Sequence, residues 1–254
     1  MTKTKLSKIY AHRGFHDKPQ IPENSLPAFR RAVENGFGSE FDVHMIADGS
    51  LVVFHDEELE RETGVIGKIE DYTLTELRKL RLEGTDEYIP TFDEVLAVYD
   101  GVRREDGSVM QLLIELKVDR GNHRELVKAV TDRLDSFDGE FVLESFDPRA
   151  VFELKRQRPE LTRGQLIQNY VVHDMKMPKY QGAILAAMPY NRLNKPDFIA
   201  FRFADKDMPS LKRAFKNKDV GKAVWTVRTP RAFKVAQRMG CSIIFEKFNP
   251  NTDL

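Results

Sequence analysis

Short apolar runs alternate with amphipathic segments from residue 8 to residue 246 of this chain, and that alternation admits few folds. Strands are predicted at 8–12, 39–43, 112–117, 140–145, 163–168, 197–203, 222–227 and 241–246. Helical periodicity falls between them at 25–35, 91–99, 123–134, 148–158, 209–216 and 230–239. Local signals mark several helix ends. Pro148 and Pro230 each follow a capping-type residue, Asp147 and Thr229, while Gly36 and Gly240 stand where two helices should stop. Alternating strands and helices predict a parallel sheet covered by helices. Eight such strands predict an α/β fold of the (β/α)8 TIM-barrel type, with active groups at the C-terminal strand ends; a doubly wound open sheet is the alternative. The 254 residues suit a single barrel domain over 1–254. Residues 56–90 depart from the alternation, carry a helical pattern at 75–82, and read as a small insertion after the second strand.

The segment 38–56 carries the densest chemistry. Its first half alternates polar and apolar residues, and Asp48-Gly49 is a two-residue turn signal. With those two residues in the turn, Ala47 faces Ser50, and counting outward sets Asp42 opposite His55. Glu40 lies two residues from Asp42 and shares its face. Two carboxylates and an imidazole then crowd one patch, with cross-strand Cβ atoms about 5 Å apart. Like charges that close call for a cation between them. A hard divalent metal beside a proton-transferring histidine answers that need; an ordinary surface hairpin is the plainer reading.

Other candidates fall at predicted C-terminal strand ends. His12-Arg13-Gly14 ends the first strand, with Gly14 free to turn the chain. Glu115 and Lys117 share one face of the third strand, where a charged face is expensive unless paired or ligating. Three carboxylates, Glu40, Asp42 and Glu115, suit one Mg²⁺ or Ca²⁺. Arg13 and Lys117 add the positive charge that a transferring phosphoryl group requires, and His12 and His55 can move protons near neutrality. Together these groups describe metal-assisted phosphodiester cleavage. His16, His44, His123 and His173 lack partners at metal-ligand spacing and read as solvent-facing or rim residues.

Composition removes other classes. Forty basic and forty acidic residues cancel, which argues against a nucleic-acid binder driven by phosphate contacts. Cys241 is the only cysteine, so neither an intrachain disulfide nor a thiolate zinc cluster is possible. No run of eighteen apolar residues predicts a membrane span, and the basic start of the chain lacks the apolar stretch of a signal peptide; a cytoplasmic protein is expected. Oligomeric state has no signature here.

The motifs Ala11-His12-Arg13-Gly14, Pro22-Glu23-Asn24-Ser25, Glu40-Phe41-Asp42-Val43 and Val52-Val53-Phe54-His55-Asp56 occur in that order. Ile114-Glu115-Leu116-Lys117, Ser145-Phe146-Asp147 and Val224-Trp225-Thr226-Val227 follow. The ordered set resembles the glycerophosphodiester phosphodiesterase family over about residues 8–247. The resemblance implies a distorted (β/α)8 barrel, a family-specific insertion after the second strand, and release of sn-glycerol 3-phosphate and an alcohol from a small glycerophosphodiester. It implies Glu40, Asp42 and Glu115 as metal ligands and His12 and His55 as the acid–base pair. Arg13 and Lys117 would hold the phosphate, and Trp225 would wall the glycerol pocket. Glu23 would orient the loop or approach metal or substrate, and Asn24 would serve the turn before the helix. Departures from the family pattern are Arg228, where asparagine is usual, Glu246 in the last strand's motif, and Glu144 before Ser145. Alternative activities are a lysophospholipase D, for which Phe201, Phe203, Met175 and Met177 hint at an apolar approach, and a silent phosphodiester-binding barrel.

Overall fold

β1 (Ile9–His12) and β2 (Gly38–Met45) lie in parallel, joined through α1 (Leu26–Glu34). The structure is a computed structural model and describes residues 3–104, 106–173 and 177–254. Ser25 starts α1 by accepting the Ala28 N–H, and the helix buries Ala28, Phe29 and Ala32 against the sheet. Beyond the barrel, β2 pairs antiparallel with β3 (Leu51–Val53). Residues 54–90 then leave the sheet through α2 (Glu60–Thr63) and α3 (Leu74–Leu77). They rejoin it where the Val53 N–H donates to the Pro90 carbonyl. α4 (Phe92–Tyr99) begins on a reciprocal Thr91–Glu94 cap.

The remaining order is β4 (Leu112–Leu116), α5 (His123–Leu134), β5 (Phe141–Ser145), α6 (Pro148–Gln157) and β6 (Arg163–Ile167). Then come α7 (Tyr170–His173), α8 (Lys179–Ala187), α9 (Asn191–Asn194) and β7 (Phe198–Arg202). α10 (Pro209–Ala214), β8 (Gly221–Val227), α11 (Pro230–Arg238) and β9 (Ser242–Phe245) complete the described chain. The sheet runs β1-β9-β8-β7-β6-β5-β4-β2, and the β1–β2 pairing closes it into a parallel barrel with β3 outside. The open-sheet alternative is thereby excluded. Asp147 and Thr229 cap α6 and α11, and Gly36 and Gly240 take positive φ at the ends of α1 and α11, as their positions in the sequence predict.

Two layers of core position the site. Tyr10, Leu113, Val142, Leu166, Phe198 and Ile244 fill the barrel interior and form its floor. Burying each of the larger of these side chains stabilises the fold by about 1.5–3 kcal/mol. Gly38 at the foot of β2 is required by space, since a Cβ there would sit 2.0 Å from the Gln111 carbonyl oxygen. The 54–90 excursion carries a separate core of Phe54, Leu59, Ile69, Leu77, Leu82 and Ile89.

The hairpin register differs from the sequence expectation. Val43 faces Val53 and Met45 faces Leu51, so Phe54 rather than His55 stands opposite Asp42. The Ile46 N–H donates to the Ser50 carbonyl across a three-residue loop of Ala47, Asp48 and Gly49, with Gly49 at φ +83°. A left-handed glycine closing such a loop adds one residue to the turn and shifts the count by one. The segment between β6 and β7, left without helices by the sequence reading, holds three among its described residues. Of α8's nine residues only Gly182 is buried, so the periodic burial signal is weak there.

Candidate active site

Strand register decides which side chains meet. His12 lies beside Glu40, Asp42 beside Glu115, and Glu115 beside Glu144. Residues in register on adjacent parallel strands share a face, so Asp42, Glu115 and Glu144 form a row at one height, with Glu40 one pleat deeper. They look into a cavity of about 610 Å³ at the C-terminal end of the barrel, which His12, Arg13, His55, Lys117 and Trp225 also line. The structure therefore brings all eight predicted site residues to one cavity. His55 arrives despite the shifted register, because regular pairing ends at Val53 and the chain turns back toward the barrel mouth.

All four carboxylates are buried. Lys117 Nζ stands 2.9 Å from Asp42 Oδ1 and 2.8 Å from Glu115 Oε1. Burial alone would raise the Asp42 carboxyl, but Lys117, His55 and Arg13 outweigh it and hold Asp42 well below its usual range. Glu40 is pushed well up, first by burial and then by Asp42 and Glu115. Burial raises Glu115 to about 7, with Lys117 opposing. Glu144 is likewise raised by burial and by Glu115 and Asp42, and its Oε2 is buried without a hydrogen-bond partner. Four acids thus crowd against two cations, Lys117 and Arg13, and only Asp42 is held low by them. Glu40, Asp42 and Glu115 each offer an oxygen within 4.8 Å of the others, a donor set that fits a hard divalent cation.

Each histidine is held from behind. His12, 8% exposed, has Nδ1 2.6 Å from Glu246 Oε2, and its Nε2 faces the acids, 3.9 Å from Glu40 Oε2. Burial and then Arg13 lower its pKa to about 4, against the pull of Glu246. His55, with a third of its side chain exposed, has Nδ1 2.5 Å from Asp56 Oδ1, and Asp56 in turn pairs with Arg61. Burial and Lys117 lower the His55 pKa as well. A carboxylate on Nδ1 fixes the tautomer that leaves Nε2 with its lone pair toward the cavity.

Arg13 adopts φ +53°, donates its N–H to the Glu40 carbonyl at 2.7 Å and donates through NH1 to Glu23 at 2.6 Å. Its buried Nε has no hydrogen-bond partner and faces Asp42 at 3.8 Å. Gly14 follows at φ +79°, where a Cβ would press on Ala28 at 2.8 Å. Glu23 also meets Lys18 at 2.9 Å and Arg61 at 2.7 Å, so it buttresses Arg13. Asn24 does more than serve the turn, because its Nδ2 donates to Asp42 Oδ2 at 3.1 Å. Trp225 packs edge-on to Phe146 at 5.6 Å, with its Nε1 buried and unpartnered.

Sequence reasoning left several groups unassigned. Phe146, Gln168 and Arg202 line the cavity; Arg202 ends β7, and its place at a C-terminal strand end was the available signal. Asp56 and Glu246 as histidine partners were not foreseen. Arg228 Nε donates to Glu246 Oε1 at 2.6 Å, so two of the residues that depart from the family pattern contact each other. His44 is not a rim residue; it is buried beneath the excursion with Nδ1 3.1 Å from Glu70. His16, also expected at the surface, has a side chain only 8% exposed. Of the four apolar hints, Phe203 lines the cavity, whereas Phe201 is fully buried and Met177 packs partly buried in the same outer cluster. Met175 lies outside the described residues.

Fold and cavity together define a (β/α)8 barrel whose acidic, histidine-flanked mouth suits a cation and an anionic group side by side. The chain belongs to the glycerophosphoryl diester phosphodiesterase family, whose model it matches over residues 12–248. It is similar to the glycerophosphodiester phosphodiesterase of Caldanaerobacter subterraneus subsp. tengcongensis, 33% identical over 177 residues, covering 66% of this chain and 70% of that protein. Among solved structures, the Thermotoga maritima glycerophosphodiester phosphodiesterase is 26% identical with a TM-score of 0.68, covering 96% of this chain and 95% of the other. An Oleispira antarctica phosphodiesterase, solved with its product sn-glycerol-3-phosphate, shares the fold at 24% identity and a TM-score of 0.76, covering 96% and 94% of the two chains.

Proposed function

We propose that this chain hydrolyses glycerophosphodiesters to sn-glycerol 3-phosphate and an alcohol, with one divalent cation, Mg²⁺ or Ca²⁺, held by Glu40, Asp42 and Glu115. The observation that carries the reading is two imidazoles, each with Nδ1 fixed by a carboxylate, facing one acidic cavity. Arg13 and Lys117 orient the phosphate, and Trp225 with Phe146 walls the glycerol side. One histidine accepts the proton of a glycerol hydroxyl as its oxygen attacks phosphorus. The other donates a proton to the departing alkoxide, and the roles reverse when water opens the cyclic phosphate. When bound, the cation supplies Lewis-acid polarisation of a phosphoryl oxygen.

The same reading treats residues 1–254 as one phosphodiesterase unit, with 56–90 as its rim, working in the cytoplasm on a small molecule. A single buried cysteine is in keeping with that location, and among the described residues no helix is long and apolar enough to cross a membrane. The burial of Phe201 weakens the lysophospholipase D alternative. Glycerol 3-phosphate release from a panel of glycerophosphodiesters, with and without each metal, tests the proposal; a lysophospholipid runs in parallel. No release from any member, or preference for the lysophospholipid, overturns it.

A further inference from the structure

His16 has no part in the chemistry above. It lies on the loop from β1 to α1, four residues after His12, with its side chain 8% exposed and neither ring nitrogen hydrogen-bonded. A buried imidazole with no hydrogen bond calls for an explanation, and an unfilled ligand position is one. His16 Nε2 stands 3.7 Å from Glu246 Oε2, too far for a hydrogen bond, and the same oxygen is 2.6 Å from His12 Nδ1. One donor atom from each of the three residues falls within 4.8 Å of the other two. Arg228 holds the remaining Glu246 oxygen, which fixes the carboxylate's orientation.

Two imidazole nitrogens and one carboxylate oxygen form a donor set for Zn²⁺ and neighbouring first-row ions, whereas Mg²⁺ and Ca²⁺ prefer oxygen alone. Bonds of about 2.0–2.2 Å put tetrahedral donors roughly 3.3–3.5 Å apart. The 3.7 Å contact already approaches that spacing, and the 2.6 Å contact opens toward it once no proton is shared between the two atoms. We propose that His12, His16 and Glu246 form a second metal site, selective for Zn²⁺-like ions and separate from the carboxylate centre, whose occupation switches the phosphodiesterase off. The switch rests on the proposed function; the binding does not. In the resting ring Nδ1 carries the hydrogen and Nε2 the lone pair. Coordination at Nδ1 moves the ring's one hydrogen to Nε2, so His12 can no longer accept a proton on its cavity side.

Co²⁺ titrated into the full chain under excess Mg²⁺ tests the binding. One equivalent should give the visible absorption of four-coordinate cobalt, absent in His16→Gln and retained in His16→Cys. Zn²⁺ should inhibit the Mg²⁺- or Ca²⁺-loaded enzyme, with an inhibition constant at least about tenfold weaker in His16→Gln. Rates without zinc should agree between the two proteins within about twofold. No cobalt absorption in the wild type, or equal zinc inhibition in His16→Gln, overturns the site; binding without inhibition overturns the switch. Should His16→Gln not fold, the wild-type cobalt spectrum decides alone, whatever the enzyme's activity.

Discussion

His12 and His55 solve one problem in two settings. His12 ends a barrel strand, is nearly sealed from water, and takes its carboxylate from a residue 234 positions away. His55 hangs on the arm that leaves a three-residue strand, keeps a third of its side chain in solvent, and takes its carboxylate from the next residue. Closing the barrel brings the first pair together, whereas local chain geometry builds the second. The rigid setting can hold an imidazole deep among acids. The open one lets water stand in for a lost contact.

Removing either imidazole should erase the difference between them. His12→Ala and His55→Ala are each expected to lower kcat by about 10²–10⁴-fold, read as glycerol 3-phosphate release, with nearly unchanged melting. Wild-type-like turnover in either variant removes that histidine from the mechanism. Removing only the carboxylate should expose the contrast. Glu246→Gln is expected to cost about 10–100-fold in kcat, and Asp56→Asn about tenfold or less, because solvent can satisfy the more exposed His55. The reverse order would show that burial is not what sets the two apart.

Acidity separates the settings further. Glu115 and Glu40 carry raised pKa values, so without metal these two carboxyls hold more protons in the folded chain than in the unfolded one as pH rises above about 4.5. The Glu115 contribution to stability is present at low pH and is lost as pH rises through about 7, and the Glu40 contribution is lost in the same direction; a cation takes the protons' place. The rise in Tm on adding Mg²⁺ or Ca²⁺ should therefore be larger at about pH 8 than at about pH 5.5. A shift independent of pH would contradict the carboxylate site. The smallest effect belongs to Arg61→Ala. It removes a pair with Asp56 from a side chain 44% exposed and should change kcat by only about twofold, with the loss diminishing at high salt.

The barrel was legible because its signals are short-ranged. Strand and helix periods, the caps at Asp147 and Thr229, and the stops at Gly36 and Gly240 are each settled within a few residues. Seven of the eight predicted residues meet because a barrel gathers its C-terminal strand ends, wherever they fall along the chain, whereas His55 reaches the same cavity from the arm that follows β3. What escaped depends on distance or on one degree of freedom. Nothing near His12 announces Glu246, and nothing near His44 announces the turn that covers it. The hairpin miscount came from a single left-handed glycine, whose loop spans three residues where two were expected. Arg228 and Glu246 each look anomalous alone; their contact is visible only in three dimensions.

The excursion that delivers His55 has its own apolar nucleus, and Lys18 of the β1–α1 loop clasps it through Glu62 and Glu83. One member of the proposed acid–base pair thus rides on a cassette whose packing is largely independent of the barrel's. Natural drift or a protein engineer can rebuild that cassette, and with it the shape of the doorway, while the scaffold beneath keeps its architecture. Lesions inside the cassette should then surface as poor enzymes that still fold, a class of variant that screening for solubility alone would pass as healthy.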